Sequence, residues 1–256
     1  MKADYRNWMP LGMIYSGFGA LSLSLVLYVV CMLFKADVLS NVFLIITVAA
    51  AAVTLWMLAM YRNFSYEGKR QLQKKIIDTV AAYAVLPKGG RGLDVGCGSG
   101  ALTVACAKRN PEAHFTGIDR WGKEYASFSL KLCEDNAGAE GVKNVSFIKG
   151  DAKKLDLEDE TFDFVTSNYV YHNISVKDRQ KLLLETLRTL KKGGSFAVHD
   201  IFSRAKYGDM DAFMKRLKDV GYEDVRLVST TNNDPITPFE AFWMGLSGSA
   251  VLYGRK

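Results

Sequence analysis

The sequence predicts an α/β fold with a mostly parallel sheet, preceded by two membrane-spanning helices. A glycine-rich turn within residues 91–101 stands between a short apolar strand and an apolar helix, as at nucleotide-type sites. After it, strand and helix patterns alternate, which favours a parallel sheet covered on both faces. Before it, residues 1–63 carry only four basic and two acidic side chains. The chain therefore divides into an apolar front part and a globular remainder.

The front part contains two uncharged runs of 24 residues, 11–34 and 38–61. Each would be about 36 Å long as a helix, enough to cross a bilayer core. Only three residues separate them, so we expect a tight helical hairpin, and we assign residues 1–63 to a two-helix transmembrane anchor. The first run is too long for the apolar region of a signal peptide. Ser16, Ala20 and Ser24 are small residues expected to let the helices approach closely.

Basic residues flank both runs, at Lys2 and Arg6 and again from Arg62 to Lys75. Positive charge marks the cytoplasmic side of a span, so both termini are expected there. We predict an integral membrane protein of a prokaryotic inner or plasma membrane, with residues 64–256 forming a cytoplasmic domain. An amphipathic helix over residues 64–86, ended by Pro87, opens that domain.

The glycine turn predicts a bound ligand. Gly96, Gly98 and Gly100 occupy alternate positions, where missing Cβ atoms let a ligand approach backbone N–H groups. Asp94 precedes the turn, and Asp119 ends the next predicted strand, 23 positions beyond Gly96. A carboxylate at that place can accept both hydroxyls of a ribose.

The remaining elements follow in order. Strands are predicted over residues 114–119, 145–148, 162–167, 195–199, 222–229 and 249–253. Helices are predicted over residues 101–109, 123–137, 175–190 and 207–220. The third of these helices is expected to begin at a capping box of Ser175 and Asp178 and to end at residues 191–194.

At this point the residues resemble class I S-adenosylmethionine-dependent methyltransferases, from about Tyr66 to the C-terminus. The matching stretches are LDVGCGSG, Asp119, the GDA turn that begins at Gly150, FDFVTSNYVYHN and KKGGSFAVHD. The resemblance implies a Rossmann-like seven-stranded methyltransferase sheet that ends in an antiparallel hairpin, and S-adenosyl-L-methionine as cofactor. It is closest to the branch that modifies quinones and small molecules. Tyr169 follows Asn168, where many amino-group methylases have paired prolines.

The resemblance also implies the binding residues. We predict that the cofactor is bound by Asp94, Gly96, Cys97, Gly98, Gly100, Asp119, Arg120, Asp151, Ala152 and Asn168.

Four residues at predicted strand ends are candidates for catalysis: Asn168, His172, His199 and Asp200. An oxygen or sulfur acceptor would benefit from a general base, and either histidine could serve. His114, at the start of its strand, is expected to be structural. Methyl transfer requires no metal, and the three histidines and four cysteines show no ligand-like spacing.

Two other functions remain open. Gly96, Gly98 and Ala101 also fit the fingerprint of a nicotinamide-dinucleotide-dependent oxidoreductase. Asp94, the GDA turn and the lack of a second large domain favour the methyltransferase. A membrane-tethered module that binds cofactor without turnover is the other alternative, and a product assay would separate it from an enzyme.

The membrane anchor favours a small or lipophilic acceptor near the membrane, namely a quinone, phenol, thiol or lipid headgroup. A nucleic-acid partner is disfavoured, because the 29 basic and 25 acidic residues after position 63 nearly balance. The segment 230–246, rich in aromatic residues, is expected to cover the acceptor pocket, with core packing as the alternative.

Overall fold

The computed structural model describes residues 2–122 and 127–256, which form two compact units. One unit contains the described residues up to Arg6 together with Lys74–Lys256, and the other is Asn7–Gln73. The described residues up to Arg6, which precede the first apolar run, thus belong to the same compact unit as Lys74–Lys256.

The smaller unit is a helical hairpin of α1, Leu11–Leu33, and α2, Asp37–Phe64. Both helices are long and apolar enough to cross a membrane, with mean hydropathy of 2.0 and 2.5. Only 6% and 11% of their most apolar windows are buried, so most of this surface faces outward, unlike that of a soluble core helix. The two predicted helical runs are confirmed to within a few residues.

The contact between α1 and α2 differs from the predicted stripe. Ser24 is buried, but Ser16 and Ala20 are exposed, so the stripe was wrong at two of its three positions. Gly17 lies at the contact instead, since a Cβ there would stand 2.5 Å from Met57 Cε. Close approach of the helices therefore depends on a glycine one position further along.

The larger unit contains a seven-stranded sheet in the order β3-β2-β1-β4-β5-β7-β6. Strands β1 to β5 are parallel, and β7 runs antiparallel between β5 and β6. The predicted sheet with its closing hairpin is confirmed. The strands are β1 Arg91–Val95, β2 His114–Asp119, β3 Val145–Lys149, β4 Phe162–Asn168, β5 Leu190–Ile201, β6 Glu223–Ser229 and β7 Ser249–Arg255.

Helices connect these strands, and the core lies between them and the sheet, with Phe162, Phe196 and Phe213 buried in one cluster. The helices are α3 Leu72–Ala81, α4 Ala101–Arg109, α5 Leu130–Ala139, α6 Gln180–Arg188, α7 Arg204–Tyr207, α8 Met210–Asp219 and α9 Pro238–Trp243. Two predicted helices are shorter: α3 occupies only part of residues 64–86, and α5 begins at Leu130, while residues 123–126 of its predicted range lie outside the described residues.

Three predictions around the fifth strand are corrected. The capping box of Ser175 and Asp178 is wrong, because α6 begins at Gln180 and Asp178 accepts a hydrogen bond from the Gln180 N–H instead. Residues 191–194 belong to β5 rather than to a helix end, since Leu190 pairs with Phe162 and the strand pairing outweighs the local turn signal. The helix predicted over 207–220 is divided at Gly208, which has φ of 71°.

Candidate active site

The glycine turn connects β1 to α4. Gly96 has φ of 75°, and a Cβ there would stand 2.3 Å from Val170 Cγ2, so the turn has no space for a side chain. The N–H groups of Gly96 and Cys97 donate to the carbonyl of Ile118, at 2.7 and 3.2 Å. Gly100 caps α4 in the left-handed conformation. The turn is therefore fixed to β2 and presents the N-terminus of a helix to a ligand.

Asp119 lies beside this turn, as its spacing predicts. Its carboxylate accepts hydrogen bonds from the N–H groups of Gly98, at 2.9 Å, and Trp121, at 2.8 Å. The indole N–H of Trp121 donates to the Gly98 carbonyl at 2.9 Å. Each carboxylate oxygen can accept a further bond, so the group fits the paired hydroxyls of a ribose.

Asp94 is buried beneath the turn. Its carboxylate accepts a 2.6 Å hydrogen bond from the Thr103 hydroxyl. Burial raises the pKa of Asp94 to about 7, and the charge of Asp119 adds to the shift, although the Thr103 bond opposes it. Burial also raises the pKa of the Cys97 thiol, which is therefore protonated. Both side chains support the turn from inside the domain.

The other predicted binding residues follow the ends of β2 and β3. The Gly150 N–H donates to the Asp119 carbonyl at 2.9 Å, which brings the GDA turn beside the end of β2. Asp151 is exposed, Ala152 is half-buried, and the exposed Arg120 directly follows β2. The ends of the parallel strands β1, β2 and β3 thus bring these predicted binding residues to one edge of the sheet.

The second half of the site joins β4 to β5 through His172 and Asp200. Asp200 is fully buried and accepts four hydrogen bonds, from the N–H groups of Tyr171, His172 and Ile201 and from His172 Nδ1 at 2.5 Å. Burial alone would raise the pKa of Asp200, but the bond and charge of His172 lower it. The carboxylate is therefore ionised and holds the Nδ1 proton of the ring. His172 Nε2 has no hydrogen-bond partner within the described part of the chain.

His199 is the other predicted histidine, and it is fully buried. Burial lowers the pKa of His199 to about 4, so the ring is neutral near pH 7. Its Nδ1 lies 2.7 Å from Asn168 Oδ1, and its Nε2 lies 2.9 Å from the Thr230 hydroxyl. An amide oxygen only accepts, so Nδ1 carries the proton and Nε2 accepts from Thr230.

Two residues between these partners were missed from the sequence. Tyr169 has φ of 55°, its ring centre is 4.5 Å from that of His199, and its hydroxyl is 2.7 Å from Ser249 Oγ. Val170 packs on Gly96 and so joins the two halves of the site. The sequence gives no signal for the Ser249 contact, because 80 residues separate the pair. His114, expected to be structural, begins β2 at the opposite edge and is bonded to Ser146.

The segment predicted to cover the acceptor pocket contains α9. Phe239 and Phe242 are 74% and 80% exposed, whereas Ala241 and Met244 are buried. The helix leads into β7, whose first residue, Ser249, contacts Tyr169. One face of α9 is therefore core, and the other presents two phenylalanines to the surroundings.

Comparison with known proteins gives the family. A family model described as a methyltransferase domain matches residues 86–235, more than half of the chain. Demethylmenaquinone methyltransferase of Listeria monocytogenes is 34% identical over 114 residues, 44% of this chain and 45% of the relative. The enzyme of that name from Staphylococcus aureus is 32% identical over 131 residues, 51% and 49% of the two chains. The chain thus spans about half the length of the curated relatives it matches.

Solved structures share the fold. Geranyl diphosphate methyltransferase, solved with GPP and sinefungin, superposes with a TM-score of 0.54 at 13% identity, covering 73% of this chain and 78% of that one. The cyclase SpnF gives a TM-score of 0.53 at 22% identity, covering 75% and 85%. The family model, which covers more than half of the chain, shows that the chain belongs to the methyltransferase-domain family, and the matched residues lie in its larger unit.

Proposed function

We propose that this chain methylates an aromatic hydroxyl compound dissolved in the membrane, a quinol or a phenol, with His172 as general base. The carrying observation is the 2.5 Å contact between His172 Nδ1 and Asp200. An ionised Asp200 holds the ring proton on Nδ1, so Nε2 is the basic nitrogen. The demethylmenaquinone enzymes among the relatives support a quinol over the other acceptor classes.

The chemistry begins with proton transfer. His172 Nε2 takes the proton of the acceptor hydroxyl, and Asp200 stabilises the imidazolium that forms. The electron pair thus freed forms the new bond to the methyl carbon, at the oxygen or at a ring carbon beside it. S-adenosylmethionine held at the glycine turn would supply that methyl group on its sulfonium and leave as the neutral thioether. For a carbon acceptor, the displaced ring hydrogen moves to the oxygen as a proton, and His172 releases its own proton to water.

The remaining site residues bind and orient. We assign Asp119 to the ribose hydroxyls, the GDA turn to the adenine, and the glycine turn with Asn168 to the methionyl part. His199 is a positioning residue: with a pKa of about 4 it stays neutral, and its Nδ1–H fixes the Asn168 amide oxygen. Both ring nitrogens of His199 are engaged in hydrogen bonds and the ring is neutral at pH 7, so it is a poor base. We therefore assign the role of base to His172.

Two observations support a lipid-dissolved acceptor. The outward-facing apolar surfaces of α1 and α2 suit a bilayer, and the exposed Phe239 and Phe242 stand on the helix that leads into the Ser249 end of β7. The described residues up to Arg6 belong to the same unit as Lys74–Lys256, so we expect the segments before and after the hairpin on one side of the membrane. The basic residues that flank the hairpin favour the cytoplasm for that side.

Product analysis tests this proposal. The full chain in phosphatidylethanolamine–phosphatidylglycerol nanodiscs is supplied with demethylmenaquinol and S-adenosylmethionine labelled in its methyl group, and lipid extracts are read by mass spectrometry. Labelled quinol is expected from the wild type and from His114→Ala, but not from His172→Ala. Label in the phosphatidylethanolamine headgroup would contradict the acceptor class. Undiminished labelling by His172→Ala would contradict the base.

A further inference from the structure

The residues ahead of α1 bind to the methyltransferase unit. The Asp4 N–H donates to Asn136 Oδ1 at 2.7 Å, and Asn136 Nδ2 donates to the Asp4 carbonyl at 3.0 Å. Tyr5 is 4% exposed, and its hydroxyl donates to Glu140 at 3.4 Å. Asn136 and Glu140 are four residues apart on α5 and its cap, so they share one face. We call Asp4 and Tyr5, which cover that face, the strap.

The same asparagine also holds the glycine turn, called the cofactor turn below because we assign it to the cofactor. Asn136 is 2% exposed, and its Nδ2 makes a second donation, at 3.0 Å, to the carbonyl of Ser99. Both of its N–H bonds and its oxygen are thus occupied, which fixes the orientation of the amide. One turn earlier on α5, Cys133 Sγ donates to the Gly98 carbonyl at 3.2 Å. Helix α5 therefore fixes two successive carbonyls of the turn that carries the glycines.

We propose that the strap positions the cofactor turn, so that residues upstream of the first apolar helix set the affinity for S-adenosylmethionine. Two of the three hydrogen bonds of Asn136 go to the Asp4 backbone, and without them the buried amide would rotate to find other partners. The Ser99 carbonyl would then lose its donor, and the peptide groups between Gly98 and Gly100 would be held by fewer hydrogen bonds. This inference uses only the cofactor assignment of the proposed function, not the acceptor.

A matched pair of variants isolates the strap. Asp4→Pro removes the backbone N–H that donates to Asn136 Oδ1, together with the Asp4 side chain. Asp4→Ala removes the same side chain and its ion pair with Arg6 but keeps the N–H. For the full chain in nanodiscs, calorimetry should give a dissociation constant for S-adenosylmethionine raised about fivefold by Asp4→Pro and changed less than about twofold by Asp4→Ala. The melting temperature without ligand should be the same for both, because a terminal segment carries little global stability.

Amide exchange provides a readout that needs no cofactor. Hydrogen exchange of a peptide covering residues 97–101 should be faster in Asp4→Pro than in Asp4→Ala and wild type. Equal exchange rates and equal affinities for S-adenosylmethionine in the two variants would overturn the proposed role of the strap. Faster exchange in Asp4→Pro in a protein that binds no S-adenosylmethionine would overturn the cofactor assignment and leave the effect on the turn in place.

Discussion

Two buried aspartates carry opposite shifts of pKa. One lies beneath the glycine turn, in the part of the site proposed to bind S-adenosylmethionine, called the cofactor half. The other lies beside His172, in the part proposed to bind the acceptor, called the acceptor half. Asp94, in the cofactor half, accepts one short bond from Thr103, and burial raises its pKa to about 7. Asp200, in the acceptor half, accepts four bonds, and its contact with His172 lowers its pKa despite burial. The hydrogen-bond donors around each of these two buried carboxyl groups therefore determine whether it is charged. The cofactor half thus contains a carboxyl group with a pKa near 7, and the acceptor half contains a carboxylate that stays ionised.

The largest effect is expected from removing that anion. Asp200→Asn preserves the shape but not the charge, so the His172 imidazolium loses its stabilisation and its tautomer is no longer fixed. We expect kcat to fall roughly 10²- to 10⁴-fold, while the dissociation constant of S-adenosylmethionine changes less than about twofold. Single-turnover kinetics measure the rate and calorimetry measures the dissociation constant. A kcat within tenfold of wild type would contradict the proposed pairing of His172 as base with Asp200.

Removing the carboxylate of Asp94 is expected to raise stability instead of lowering activity. Its unfolded-state pKa, near 3.8, lies below the folded value of about 7, so the wild type loses stability as pH rises between them. Asp94→Asn removes the buried charge and should stabilise the ligand-free protein by up to about 4 kcal/mol at pH 8, with little effect at pH 4.

Urea unfolding of the ligand-free chain across pH 4–8 measures this difference. Asp156→Asn, outside the predicted site, serves as a control for the change of net charge. A stability gain independent of pH would mean that Asp94 is ionised throughout.

The cofactor half should also respond to loss of its half-buried carboxylate, Asp119. Asp119→Ala removes the proposed acceptor of two ribose hydroxyls and should weaken S-adenosylmethionine binding by roughly 2–4 kcal/mol. Calorimetry measures this change, with the exposed Asp156→Ala as a carboxylate control outside the predicted site. Unchanged affinity, or tight binding of a nicotinamide dinucleotide by the wild type, would contradict the assignment.

The smallest effect concerns the exposed face of α9. Replacing Phe239 and Phe242 by Ser should raise KM for a membrane-dissolved acceptor about threefold to tenfold, because two apolar contacts with lipid or acceptor are lost. The melting temperature should move by less than about 2 °C, since both rings are already exposed.

Val220→Ser is the matched control for α9, because that side chain is 73% exposed on α8's cap. The half-buried Trp243 gives the contrasting case. If Trp243→Ala lowers stability by roughly 3 kcal/mol without changing acceptor kinetics, the segment is core and not a cover.

The two halves also differ in how far sequence could predict them. Arg91 to Asp119 form one contiguous strand, turn, helix and strand, so local patterns placed the turn and its carboxylate correctly. The acceptor half depends on side chains far apart in sequence, such as Tyr169 with Ser249, and no local pattern encodes such a pair. Strand ends did predict that Asn168, His172, His199 and Asp200 would meet at one edge, but not their partners.

Errors in the fold have the same origin. Leu190 to Gly194 is a turn by its residues, yet Leu190 pairs with Phe162 of β4, so β5 already begins there. Helix α9 could have been found, because Thr237 and Glu240 form a capping box with Pro238 at the first helical position.

The strap also sets an order of events during synthesis. Asp4 and Asn136 are 132 residues apart, so the ribosome adds that length after the strap before its partner exists. At typical translation rates this takes roughly 7 to 26 s, during which both apolar helices emerge. The cofactor turn is therefore completed only after the hairpin has been made, and a nascent chain would acquire its full affinity for S-adenosylmethionine late.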